Sequence, residues 1–212
     1  TNHRLLEAMA ETRLPIILST GMADSAELDA ALAIITREHD AITILHCLSQ
    51  YPADAANLNL STIPWLKDHY PYRIGYSDHS EGVWAPVAAV AMGAEVVEKH
   101  VTLDRCMRGS DHAGSLERDG IYRWVRDTRL LERAMGEYGM ERNEASEAAR
   151  MKLARSVASA RPLPAGVRIT ATDLLPLSPG DGIPWTERDK LVGRWTIQDV
   201  AGHELLTATM VQ

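Results

Sequence analysis

Four short apolar runs, each followed by a helical pattern, constrain this chain more than any other feature. They are PIILSTG at residues 15–21, ITILHC at 42–47, YRIGY at 72–76 and AEVVEKH at 94–100. Runs of this length, closed by glycine or polar residues, read as buried strands. Leu5, Leu6, Met9 and Ala10 form a helical stripe before the first strand. Helical patterns then run from a cap at Asp24 or Ser25 to about His39, from Ile63 to His69, and from Trp84 to Met92. The last runs from about Arg118, with Ile121, Trp124, Val125, Leu130, Leu131 and Met135 on its apolar side. Four strand-then-helix units predict an α/β fold with a parallel sheet and helices packed outside, the equivalent of half a TIM (β/α)8 barrel. A free half barrel exposes two sheet edges, and the chain opens on Thr1 directly into a helical pattern. The expectation is that it is the C-terminal half of such a barrel, with upstream units missing.

The texture changes after residue 139. Residues 140–154 are charged and Ala-rich (Glu141, Arg142, Glu144, Glu147, Arg150, Lys152) and read as a helical or mobile linker. From 155 to 212, short β-like pieces alternate with Pro/Gly turns, as in Leu163-Pro164-Ala165-Gly166 and Ser178-Pro179-Gly180-Asp181-Gly182. This predicts a small β-rich domain, with Trp185 and Trp195 in its core.

Charge narrows the partners. The formal net charge is −7, from 22 basic and 29 acidic residues, with no basic stripe, so nucleic acid is not an expected partner. An anionic substrate has to be held by local donors. The two cysteines, Cys47 and Cys106, make neither a metal-type pair nor a disulfide framework, which suits the cytoplasm. No run is long enough to cross a bilayer.

Working groups of a parallel α/β barrel sit at the C-terminal strand ends. Ser19 and Thr20 end the first strand, His46 the second, Ser77, Asp78 and His79 the third, and Glu98 and His100 the fourth. His79 and His100 occupy matching ends of consecutive strands about 4.8 Å apart, so both imidazoles reach one divalent cation, or else both are structural. Glu98 and His100 share a strand face while Lys99 points away. Glu98 is thus placed to orient substrate, to support His100 or to pair with a barrel lysine. Asp111 lies in a loop over the strand ends and suits either a sugar hydroxyl or a turn cap. His46, flanked by apolar residues, reads as a buried hydrogen-bonded histidine. Ser19, Thr20 and Gly21 offer donors for a phosphate.

Together these stretches resemble the sialic acid synthase family, which includes N-acetylneuraminate synthase and its legionaminic, pseudaminic and spore-coat relatives. The matching segments are PIILSTGM (15–22), LHCLSQYP (45–52), IGYSDH (74–79), EKHVTLD (98–104) and GSDHAGSLE (109–117), in order along the chain. The final domain resembles the family's antifreeze-like (SAF) domain through Arg155-Ser156-Val157 and residues 163–175. The resemblance implies a metal-dependent condensation of phosphoenolpyruvate with N-acetylmannosamine or a related N-acyl amino sugar, giving a nine-carbon 2-keto acid and phosphate. It implies a divalent metal, usually Mn²⁺, on His79 and His100. Ser19 and Ser77 match serines that hold the phosphate, and Ser49 and Tyr51 match positions near the substrates. Asp111 matches an aspartate that binds the sugar, and Glu98 a glutamate lining the site. It further implies a homodimer in which each SAF domain covers the partner's site. Ser178-Pro179-Gly180 stands where the family carries Arg-Pro-Gly, which leaves a dideoxy-diacetamido sugar open. By the family pattern, strands preceding Thr1 carry further site groups, so this piece alone is expected to be inactive. A metal-dependent hydrolase would need more ligands than two histidines, and a non-catalytic carbohydrate- or ice-binding role lacks a regular threonine array.

Overall fold

A computed structural model describes residues 2–140 and 143–212. The chain divides into two compact units between residues 137 and 138. In the first, elements alternate as the sequence requires: α1 (His3–Glu11), β1 (Ile16–Ser19), α2 (Ser25–Ile35), β2 (Ile42–Cys47), α3 (Thr62–His69), β3 (Arg73–Asp78), α4 (Trp84–Ala91), β4 (Val96–Lys99) and α5 (Arg118–Met135). The strands pair in sequence order, all parallel.

Local chemistry sets the boundaries. The Asp24 carboxylate accepts from Glu27 N at 2.9 Å, and the Glu27 carboxylate in turn accepts from Asp24 N, a reciprocal cap that starts α2. The helix stops at Ile35 rather than near His39, because Arg37 N and Glu38 N turn back to the carbonyls of Ile34 and Ile35.

Strand pleating gives the sheet two unlike faces. Ile16, Ile42, Ile44, Ile74 and Tyr76 face the helices and join one core with Leu6, Leu28, Ile35, Ile63 and Leu66. On the other face, Leu45 is fully buried, whereas Ile17 is 56% exposed. Gly75 makes that face possible. A Cβ there would lie 2.4 Å from Leu45 Cδ2 and 2.3 Å from the Val96 carbonyl oxygen. The glycine thus lets Leu45 lie across β3 and β4 come close.

The expected apolar side of α5 is only partly covered. The helix packs on α4, yet Val125, Leu130 and Met135 are each more than half exposed. Periodicity identifies an apolar face but not what covers it.

The second unit contains α6 (Glu144–Leu153) and the antiparallel pair β5 (Ser156–Ser159) and β6 (Leu174–Leu177). The stretch read as a linker therefore contains a helix, capped by Asn143 accepting from Ser146 N. Glu141 and Arg142 lie outside the described residues. Val157, Leu163, Ile169, Leu174 and Leu206 form the core, closed by single bridges such as Leu163 with Val200. Trp185 packs on this core with the Arg188 guanidinium over its ring. Trp195 does not: it is 47% exposed, in an isolated bridge with Arg168. The expectation of two core tryptophans is corrected to one. Among the described residues no helix is long and apolar enough to cross a membrane.

The Gly75 contact predicts that Gly75→Ala destabilises the first unit by about 1–3 kcal/mol, the usual cost of overpacking where backbone has to move. Thermal or urea unfolding of the variant measures it.

Candidate active site

The parallel register stacks side chains in rows on the face away from the helices. Ser19, Leu45, Gly75 and Val96 form one row, and Cys47, Ser77 and Glu98 the next. The final pair of strand partners is Asp78 and Lys99, and the residues that follow the two strands are His79 and His100. Their ring centroids are 5.1 Å apart, with planes at 84°.

The loop after β2 fixes His79 on three sides. Its Nδ1 lies 2.8 Å from the Leu48 carbonyl oxygen, its own carbonyl accepts from Ala53 N at 2.9 Å, and the Tyr51 ring lies 4.2 Å from its imidazole. Donation from Nδ1 to a carbonyl leaves Nε2 with its lone pair, the arrangement that orients metal-binding histidines. His100 Nδ1 stands 3.8 Å from Asp111 Oδ2, and Ser110 donates its hydroxyl to the other Asp111 oxygen at 2.9 Å.

Ser77 is buried and donates to Glu98 Oε1 at 2.7 Å. Glu98 therefore meets a hydroxyl rather than a lysine. Lys99 instead faces the helices and pairs with Asp78 at 2.5 Å. Ser19 is exposed at the end of β1, while the Thr20 hydroxyl is committed to the Leu45 carbonyl at 3.0 Å. Ser49 sits against Gly21, whose Cβ, if present, would fall 2.2 Å from Ser49 Oγ. Ser19, Ser49, Tyr51, Ser77, His79, Glu98 and His100 all line one open cleft of about 360 Å³. Asp111 lies outside it, in a small adjoining pocket that shares Tyr51, His79 and His100.

Among the described residues, the His79 and His100 imidazoles are the two histidine side chains that this cleft could offer a cation. Among the described residues no cluster of three or more His, Cys, Asp or Glu side chains is arranged to hold a metal. The donor set fits a first-row divalent cation that keeps open positions for water and substrate oxygens, and does not fit a closed structural zinc site.

His46 lies on the helix side, its Nε2 2.7 Å from the Leu58 carbonyl, and burial lowers its pKa. It is the buried, hydrogen-bonded histidine the sequence suggested. Two features were missed: the Leu48 carbonyl behind His79 and the pairing of Asp78 with Lys99. Strand alternation did place Lys99 on the helix side, where a charge needs a partner, and Asp78 occupies the matching position on β3.

Comparison with known proteins decides the family. The NeuB family model matches residues 1–139, about two thirds of the chain, and the SAF domain model matches residues 154–212. The chain belongs to the NeuB family. It is 35% identical to the N,N'-diacetyllegionaminic acid synthase of Legionella pneumophila over 97% of its own length and 60% of that protein's. Among solved structures, the N-acetylneuraminic acid (sialic acid) synthetase of Leptospira borgpetersenii, in complex with citrate, shares 38% identity at a TM-score of 0.65. That match covers 70% of this chain and 52% of the other. A putative spore coat polysaccharide biosynthesis protein E from Chromobacterium violaceum matches the whole chain and 65% of its own, at 27% identity and a TM-score of 0.70. This NeuB-family chain thus spans about 60% of the length of the curated relatives it matches.

Burial raises the pKa of the Cys47 thiol, with the Glu98 and Asp78 carboxylates adding to the shift against a hydrogen bond with Ser77. Thiolate is the reactive form. At pH 7.5 iodoacetamide is therefore expected to label exposed Cys106 well before Cys47, with Cys47 labelling rising only at alkaline pH. Peptide mapping over a pH series checks this.

Proposed function

We propose that this chain supplies the second half of a (β/α)8 barrel and the SAF domain of a nonulosonic acid synthase. The reaction joins phosphoenolpyruvate, an N-acyl amino sugar in its open-chain aldehyde form and water, and yields a nine-carbon 2-keto acid and phosphate. The observation that carries the reading is the pair of imidazoles at matched strand ends, beside three serine hydroxyls in one cleft. One group of donors suits a divalent cation and the other suits a phosphate.

A divalent cation on His79 and His100, Mn²⁺ in this reading, supplies Lewis-acid polarisation of the aldehyde oxygen when bound. The protein groups do the positioning. Ser19, Ser49 and Ser77 offer hydroxyl donors to the phosphate, which compensates locally for the chain's net negative charge. Ser77 can serve the phosphate only by turning its hydroxyl away from Glu98 Oε1. That exchange frees Glu98 to accept a hydrogen bond from the water or from a sugar hydroxyl. Tyr51 walls the cleft against His79, and Asp111, next to His100, faces the side on which a sugar would extend. The methylene carbon (C3) of phosphoenolpyruvate then forms the new carbon–carbon bond to the aldehyde carbon, whose oxygen takes up a proton to become a hydroxyl. Water gives up a proton and adds at C2, the carbon that bears the phosphate, and the tetrahedral intermediate breaks its C2–O bond to phosphate and leaves the 2-keto group. Holding the partners in this geometry is an orientation effect.

N-acetylmannosamine is the sugar of the leading reading. The 35% identity to a legionaminic acid synthase over nearly the whole chain, together with Ser178 in place of an arginine, supports a dideoxy-diacetamido sugar as the second. In either case the working assembly is a homodimer with the SAF domain over the partner's cleft, and the 212 residues alone give no turnover.

The test is phosphate release from phosphoenolpyruvate by the complete reading frame with Mn²⁺ and each sugar. Sugar-dependent release is expected, reduced about 100-fold or more in His79→Ala, since polarisation by a metal contributes several kcal/mol. Release that ignores the sugar, or that survives His79→Ala, would contradict the reading.

A further inference from the structure

We propose that the buried Asp78–Lys99 ion pair is a positioning device that sets the separation of His79 and His100 and thereby the affinity of the site for a divalent cation. The inference rests on the metal site proposed above and adds to it residues that touch neither metal nor substrate.

Both side chains are wholly buried, on the helix side of the sheet, directly behind the histidines. Lys99 Nζ lies 2.5 Å from Asp78 Oδ2 and also donates to the Ser80 carbonyl. Asp78 Oδ1 accepts from the Tyr76 hydroxyl at 2.9 Å and from Ser80 N at 3.0 Å. The ammonium of β4 therefore grips residues 78 and 80, the two neighbours of His79, from the residue that precedes His100. Because Asp78 and Lys99 are register partners, any slide of one strand end against the other has to break this contact before it can part the imidazoles.

A buried ion pair is a poor device for stability alone. Its desolvation cost is large, and apolar replacements of similar volume are often neutral or stabilising. Its best-attested use is to fix one arrangement among several, and here the arrangement fixed is the spacing of two candidate ligands. Partners behind a metal ligand change metal affinity by roughly 10–100-fold when removed.

Two charge-neutral replacements test the proposal in the complete reading frame: Asp78→Asn with Lys99→Met, and Asp78→Asn with Lys99→Gln. Both keep the Oδ1 acceptor for Tyr76 and Ser80, and both lose the long ammonium that spans to residue 80. The second keeps a polar pair in case the first does not fold. Circular dichroism establishes folding. Mn²⁺ affinity is read by electron paramagnetic resonance, and site geometry by the visible spectrum of bound Co²⁺. The expected result is a folded variant whose Mn²⁺ dissociation constant rises roughly 10–100-fold and whose Co²⁺ spectrum changes shape. A folded variant with wild-type Mn²⁺ affinity and Co²⁺ spectrum would overturn the positioning role while leaving the metal site intact. Failure of the wild type to bind Mn²⁺ would overturn the metal site and this inference together.

Discussion

The parallel register of β3 and β4 is the constraint on which the rest of the site depends. It pairs Ser77 with Glu98 and Asp78 with Lys99, so the next residue on each strand is a histidine. Side chains alternate across a strand, and a slip of one residue would move every side chain to the opposite face. Glu98 and His100 would then point into the helix layer, and the Lys99 ammonium would stand in the cleft. Two features oppose that slip. Gly75 accepts the close approach of Leu45 and the Val96 backbone at only one register. The buried Lys99 ammonium finds its two acceptors only opposite Asp78 and Ser80.

Much of this is legible in the amino-acid sequence, for identifiable reasons. Apolar runs bounded by glycine and polar residues located all four strands, because a strand buried on one face by helices cannot tolerate many charges. Equal offsets from two strand ends placed His79 beside His100, since a parallel sheet converts sequence position into spatial rows. What escaped depends on loops and on coverage. The Leu48 carbonyl meets His79 through an irregular return after β2. Glu98 accepts from Ser77, although alternation alone allowed other partners. Trp195 is exposed, because hydrophobicity does not reveal which side of a small bridged domain it occupies. The open face of α5 escaped for the same reason.

The two faces of the sheet divide labour. The helix side carries the continuous apolar core and the buried Asp78–Lys99 pair. The opposite side carries the serines, the glutamate and the histidines, with Ile17 open to solvent. Among the described residues, β1 and β4 each have one partner strand. That pattern accords with a chain that spans about 60% of the length of the curated relatives it matches.

Pulsed electron paramagnetic resonance reads directly whether His79 and His100 together hold a divalent cation. The sample is the complete reading frame loaded with Mn²⁺ and labelled with ¹⁵N-histidine. Hyperfine coupling from two imidazole nitrogens is expected, reduced to one in His79→Ala and to one in His100→Ala. Bound Mn²⁺ with no histidine coupling, or with coupling that persists unchanged in both variants, would contradict the two-histidine site.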